Sequence, residues 1–120
     1  MRYYTHSHEW LAITDTITLG ITAFAVEELG EIVHIELPVV GQTIQKGDEI
    51  GTIESVKTVS SLYAPVSGVI TAINPDCIQN PEIMSTDPYA AWLVSLTPSD
   101  VTQYDSLLDE AAYKTHCDSQ

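Results

Sequence analysis

The sequence predicts a mainly β chain, a small sandwich or flattened barrel of short strands with little helix. Three observations predict it. Apolar and polar residues alternate over several short runs, as in Ile17, Leu19 and Ile21 against Thr16, Thr18 and Gly20. Turn signals rich in Gly, Pro and Asp separate those runs. Only two segments read as helix, a short one near residues 23–29 and a C-terminal one near 106–116.

Taken in order, Glu9–Ile13 and Thr16–Ile21 flank Thr14-Asp15 and read as a hairpin. Thr22 is placed to cap a helix over Ala23–Leu29, which Gly30 closes. Glu31–Leu37 reads as a strand with Val33, Ile35 and Leu37 on one face and Ile32, His34 and Glu36 on the other, stopped by Pro38. Lys46-Gly47-Asp48 is a turn. Ile50–Ser55 and Thr58–Tyr63 are strand-like and pair as a hairpin with Val56 and Lys57 at its tip. Ala64-Pro65 breaks the ladder, Ser67-Gly68 turns, and Val69–Ile73 is a further strand. Asn74–Tyr89 carries Pro75, Pro81 and Pro88 and is expected to be largely loop. Trp92–Leu96 is the last strand, with Trp92, Val94 and Leu96 on one face. The C-terminal helix has Ser106 and Asp109 as a capping pair and His116 near its end.

A chain of 120 residues, 44% hydrophobic, suits one domain with one modest core. No run is long and apolar enough to span a membrane, and Met1–Trp10 resembles neither a secretory signal nor an Arg-rich transit peptide. The cytoplasm is the expected compartment. The formal net charge of −13 repels phosphate backbones and anionic lipid, which argues against nucleic-acid and membrane roles. It favours basic partner surfaces. Cys77 and Cys117 are far apart and form no C-x-x-C, so they read as free thiols of a reducing compartment.

Lys57 is one of three lysines, and it breaks a local rule. Two-residue hairpin turns favour Asn-Gly or Asp-Gly because they need positive φ. Val-Lys is poor chemistry there, and Val56 would be exposed. Such a conflict marks a functional position. A lysine on a tight tip is open to a modifying enzyme, and its flexible stem extends any group amidated to its nitrogen. A rigid sheet beneath fixes where that group starts.

The stretch "VGQTIQKGDEIGTIESVKTVSSLYAPVSGVI" resembles the biotinyl/lipoyl-domain family. With "SHEW", "GITAFAVEELGEIVHIELP", "NPEI", "DPY" and the tail "DSLLDEAAYKTHC", it is more narrowly similar to the H-protein family of the glycine cleavage system, over nearly the whole chain. The resemblance implies a single domain over residues 1–120. It implies a flattened barrel-sandwich hybrid of two antiparallel sheets, and lipoate amide-linked to Lys57. Glu54 would belong to the surface read by the lipoylating enzyme. The implied role is that of a non-catalytic, monomeric carrier. It takes the aminomethyl group of glycine from the pyridoxal-phosphate P protein to the T protein, and the flavin-dependent L protein reoxidises the dithiol. Ser7 and Glu9 match positions that line a cleft for the loaded arm, where a carboxylate and a hydroxyl hold the amine.

Two departures stand near that cleft. Ser61 occupies the place where the family pattern has Asp, and the loss of one charge-assisted contact is worth about 1.5–3 kcal/mol. Ala90-Ala91 replaces a glycine-containing segment after "DPY". They open an alternative, an H-like lipoyl carrier or relay that supplies lipoyl groups elsewhere without aminomethyl transfer. Other constellations carry less. His6 and His8 form an H-x-H without further metal ligands, so no metal site is expected. His8 is expected to orient Glu9 or pack locally, and His34 to be solvated. His116 suits a helix C-terminus. A Ser-His-Asp hydrolase lacks its nucleophile elbow, and no catalytic residues are assigned.

Overall fold

The computed structural model describes residues 2–119. Among these residues nine strands form two antiparallel sheets. The first five elements after the N-terminus are β1 (Arg2–Tyr4), β2 (Glu9–Ile13), β3 (Ile17–Ile21), α1 (Ala23–Leu29) and β4 (Ile32–Glu36). Next come β5 (Thr43–Ile44), β6 (Glu49–Ser55), β7 (Val59–Tyr63) and β8 (Gly68–Ile73). The chain continues through α2 (Pro75–Gln79), α3 (Ile83–Thr86), β9 (Val94–Pro98), a 3-10 helix over Val101–Ser106 and α4 (Glu110–Asp118). One sheet has the order β1-β2-β3-β9-β8-β5 and the other β4-β6-β7, so the sheets enclose a core without closing into a barrel. Leu11, Ile17, Leu19, Ile35, Ile44, Ile53, Leu62, Ile70 and Leu96 fill it, all essentially without solvent contact. Among the described residues no helix is long and apolar enough to cross a membrane.

The alternation in the sequence translates directly into the β2–β3 and β6–β7 hairpins, whose registers run Leu11↔Leu19 and Ile53↔Ser60. α1 begins where expected. The Thr22 hydroxyl accepts from the Ala25 amide at 3.3 Å, and Gly30 ends the helix at φ 79°.

Four expectations are corrected. The faces of β4 are not a simple alternation. A register shift between Ile32 and His34 buries Ile32 with Ile35 and leaves Val33 exposed with His34 and Glu36. One extra residue in a bulge reverses the pleat phase on either side of it. Asn74–Tyr89 is not mainly loop. Asn74 caps α2 and Pro75 occupies its first turn, where a missing N–H costs nothing. Cys77 and Met84 then drive α2 and α3 into the core. The last strand starts at Val94, not Trp92. Trp92 instead packs beside Tyr4, Trp10 and Tyr113, and its carbonyl accepts from Asn74 Nδ2 at 2.8 Å and the Cys77 thiol at 3.2 Å. The C-terminal α-helix spans Glu110–Asp118 rather than 106–116. Asp109 is its N-cap, accepting from the Ala112 amide at 2.8 Å, while Ser106 closes the 3-10 helix. The sequence reading also lacked β1. It pairs Tyr3 with Leu11 and carries Arg2 over the Tyr89 ring at 4.1 Å, clasping the N-terminus onto the loop before Trp92.

Candidate functional site

Lys57 stands at the β6–β7 tip, and the turn is built by Ser55. The Ser55 amide donates to the Thr58 carbonyl at 2.8 Å. Its side chain, buried in the turn, donates to the same carbonyl at 3.2 Å and accepts from the amides of Thr58 and Lys57 at 3.2 and 3.4 Å. Neither Val56 nor Lys57 has positive φ. A serine hydroxyl bonding the backbone two and three residues on replaces the Asn-Gly chemistry that a bare two-residue turn requires. The Val56 amide donates to the Glu31 carbonyl at 3.0 Å, tying the tip to the α1–β4 junction. Gly30 lies in that junction. A Cβ there would sit 3.7 Å from Lys57 Cε, so the lysine stem runs beside it. Val56 is exposed, as expected, and Val33 and Val59 are exposed around the same tip.

Beside the tip opens a cavity of about 280 Å³. Its floor is apolar, made by Ile21, Leu29 and Ile53, and Phe24 stands in one wall. Thr58, Val59, Ser60 and Ser61 bring the hairpin into the opposite wall. Ser7, His8 and Glu9 make the polar end. The structure therefore gathers Ser7, Glu9 and Ser61 around one space. Lys57 and Glu54 are not in its lining. Lys57 precedes the lining residue Thr58, and Glu54 is exposed on β6 opposite Val59 and His34.

The polar end is set by a tight turn before β2. The Thr5 amide donates to the Glu9 carbonyl at 3.0 Å and the His8 amide to the Thr5 carbonyl at 3.1 Å. His8 takes φ 68°, the left-handed region that histidine tolerates better than most side chains, and the chain reverses there. That reversal aims Thr5 and Ser7 at one oxygen. Both hydroxyls donate to Glu9 Oε1, each at 2.6 Å. Glu9 is almost wholly buried, and no lysine or arginine among the described residues lies within ion-pair distance of it. Burial pushes its carboxyl above the usual carboxylate range, against the pull of the Ser7 and Thr5 hydroxyls and the Tyr63 amide. A buried carboxylate held by hydroxyls and lacking a cation is a ready acceptor for an ammonium group.

His8 itself packs into a network. Its ring stacks on Phe24 at 4.6 Å, and Nδ1 is hydrogen-bonded with the Tyr113 hydroxyl at 2.7 Å. That hydroxyl also meets Thr22 Oγ1 at 2.6 Å. Tyr113 in turn stacks on Tyr4 at 4.5 Å, so α4 holds both the cap of α1 and one cleft wall. His116 Nε2 lies 2.9 Å from the His6 carbonyl, and its ring meets that of His6 edge-on at 4.8 Å. His34 is exposed beside Glu36 at 3.6 Å. Among the described residues no group of three or more His, Cys, Asp or Glu is arranged to hold a metal ion. Cys77 and Cys117 are free thiols, and burial pushes the Cys77 thiol up to about 11.

Sequence reasoning missed Thr5, Phe24 and Ser60, and gave His8 no place in the cavity wall. Thr5 had a signal, its spacing of two and four from Ser7 and Glu9 in a polar turn. Ser60 had one too. It alternates with Leu62 and pairs with Ile53, so it belongs to the inward face, whereas Ser61 belongs with Val59 and Tyr63.

Known proteins match nearly the whole chain. A family model described as glycine cleavage H-protein matches residues 2–120. A glycine cleavage system H protein of Synechococcus sp. (strain RCC307) is 48% identical over 112 residues, covering 92% of this chain and 86% of that relative. One of Thermus thermophilus is 42% identical over 121 residues, covering 99% and 94%. The crystal structure of a glycine cleavage system H protein from Mycobacterium marinum superposes with a TM-score of 0.88 at 42% identity, over 95% of this chain and 94% of that one.

Proposed function

The chain belongs to the glycine cleavage H-protein family, and on that premise we propose that it is the lipoyl carrier of the glycine cleavage system, with lipoate amide-linked to Lys57 Nζ. It carries the aminomethyl group of glycine from the P protein to the T protein and meets the L protein for reoxidation. It works as a monomeric carrier domain over residues 1–120, in the cytoplasm, and has no catalytic residues of its own.

The observation that carries this reading is the pairing of Lys57 with the cavity beside it. The residues present fit the group. An exposed primary amine on a braced turn offers the attachment point, and an apolar floor of Ile21, Leu29 and Ile53 suits an alkyl chain. When bound, a lipoyl group supplies a reducible disulfide that can take up and release a one-carbon amine. This chain's residues do the rest. Lys57 tethers, and Ser55 and Glu31 fix the direction in which the tether leaves. Glu54, exposed three residues earlier, belongs to the surface read by the lipoylating enzyme. Ile21, Leu29, Phe24 and Ile53 exclude water from the cavity. Glu9, with Ser7 and Thr5 behind it, holds an ammonium by charge-assisted hydrogen bonds. Ser61 borders the cavity at the hairpin wall. The relatives' shared name favours glycine cleavage over a lipoyl relay without aminomethyl transfer.

The test is an intact mass of the protein isolated from its own source, with peptide mapping around Lys57. One lipoyl amide on Lys57, absent from a Lys57→Arg variant of equal stability, is the expected result. An unmodified Lys57 in cells that lipoylate other proteins overturns the carrier reading. Incubation of the lipoylated chain with glycine and a P protein then separates the two carrier roles, since only the glycine cleavage role adds a one-carbon amine to the mass.

A further inference from the structure

Helices α2 and α3 and the chain before Trp92 enclose a second groove, of about 460 Å³, which the carrier reading leaves unused. Ala91 is buried and Ile83 and Trp92 are half-buried, so its floor is apolar, while Asp76, Asp87 and Ala90 stand exposed at its rim. Ala90 and Ala91 line this groove, and neither lines the cavity beside Lys57. The rim is braced. Asp87 Oδ1 accepts from the amides of Tyr89 and Ala90, each at 3.2 Å. Asp76 stands in the first turn of α2, its amide donating to Asn74 Oδ1 at 3.1 Å, and Asn74 Nδ2 donates in turn to the Trp92 carbonyl at 2.8 Å. No lysine or arginine lines the groove, and among the described residues none is ion-paired with Asp76 or Asp87.

Two carboxylates over an apolar, partly aromatic floor suit a cation with an apolar stem. Arginine fits better than lysine. Its planar guanidinium stacks on an indole face, donates to a carboxylate in a two-pronged fork and sheds water more readily than an ammonium. The small side chains of Ala90 and Ala91 leave room for it. The net charge of −13 selects a basic surface as its source, and an arginine seated in a pocket is the kind of anchor that dominates protein interfaces. α1 connects the groove with the tether. Its first amide, that of Ala23, donates to the Tyr89 hydroxyl at 3.3 Å, and a Cβ on Gly30 at its other end would lie 3.7 Å from Lys57 Cε. About 10 Å of helix separates the two. We propose that the groove between α2, α3 and Trp92 is a docking socket for an arginine on the basic face of a protein that serves the carrier. It holds the chain one helix away from Lys57 and leaves the tether free.

Arginine binding needs no acyl group on Lys57, so its test stands apart from the carrier reading. N-acetyl-arginine methylamide and its lysine counterpart are titrated into the unmodified chain at fixed ionic strength and followed by NMR. The arginine probe should shift the Ala90 and Ala91 amides and the Trp92 indole saturably, and bind at least threefold more tightly than the lysine probe. Asp76→Asn should weaken it at least threefold. Ala90→Leu, which fills an exposed part of the groove, should remove the shifts without lowering the melting temperature. An equal response to both probes, or shifts spread over the acidic surface that Asp76→Asn leaves unchanged, means general attraction to a negative protein and overturns the socket. Kinetics then read the partner. With lipoylated carrier, Ala90→Leu should raise KM at least threefold at unchanged kcat for at least one of the P, T and L proteins. Unchanged KM with all three leaves a free guanidinium compound as the occupant, overturns the docking role and leaves the carrier reading standing. A Lys57 that is never lipoylated removes the carrier reading, and the arginine titration still decides the socket.

Discussion

Glu9 carries the sharpest consequence at the scale of single residues. Its carboxyl is raised from 4.5 chiefly by burial. A group raised on folding binds its proton more tightly in the native state than in the unfolded chain. Its contribution to stability is therefore full below pH 4.5 and is lost as the pH rises through the folded value. Glu9→Gln keeps an oxygen for Thr5 and Ser7 and removes the ionisation. Thermal melts should show the variant gaining on the wild type as pH rises above about 4.5, and no difference well below it. A constant offset across pH would mean that burial does not govern this carboxyl. The same substitution removes the negative partner of an ammonium. If charge-assisted bonds contribute about 1.5–3 kcal/mol, the loaded arm should lose its amine to water tenfold faster or more. Stabilising the fold and weakening the cargo site by one change is the signature of a functional buried charge.

Among the elements, the β6–β7 hairpin shows what sequence reasoning reached and where it stopped. Period-two alternation located both strands, and the unfavourable Val-Lys tip flagged Lys57. The means of making the turn was legible but unread, since Ser55 sits two residues before Lys57 and its hydroxyl accepts from the amides of Lys57 and Thr58. Ser55→Ala should cost about 1–2 kcal/mol, the net worth of one or two such hydrogen bonds, readable as a lower denaturation midpoint. It should also slow lipoylation, because the tip would sample more directions. Unchanged lipoylation with lowered stability would separate turn strength from enzyme recognition. β4 shows the opposite case. Its bulge between Ile32 and His34 has no local sequence mark, and it follows from tertiary fit. At the other end of β4, the Glu36 carbonyl oxygen crowds the place where a Cβ of Gly51 on β6 would stand, so the two strands approach more closely there than any side chain would allow. α2 and α3 were hidden because three prolines suggested loop, whereas burial of Cys77 and Met84 decides. At the cleft, Ser7, Glu9 and Ser61 came from resemblance. Thr5 was legible from its spacing to Ser7 and Glu9, but the place of His8 needed the turn at φ 68°, which brings two hydroxyls onto one carboxylate oxygen.

For the whole molecule, charge governs both stability and encounter, with opposite signs. Seventeen acidic side chains face four basic ones, and the ion pair between described residues, His34–Glu36, forms only if that histidine is protonated. Like charges spread over a small domain repel one another in the folded state. Salt screens that repulsion over a Debye length that shrinks from about 30 Å at 0.01 M to about 10 Å at 0.1 M. Added salt should therefore raise the melting temperature of the isolated protein. A negative carrier meeting basic partner surfaces is steered by the same field, and steered association falls steeply with ionic strength. Its turnover as a substrate of the P protein at low carrier concentration should drop over the same salt range, mostly through the association rate, with little change at saturation. The two measurements form one test. A melting temperature that rises while low-concentration turnover falls assigns the acidity to partner encounter as well as to solubility. A rising melting temperature with salt-independent turnover would confine it to solubility, and the exposed Val33, Val56 and Val59 around Lys57 would then carry the docking without electrostatic help.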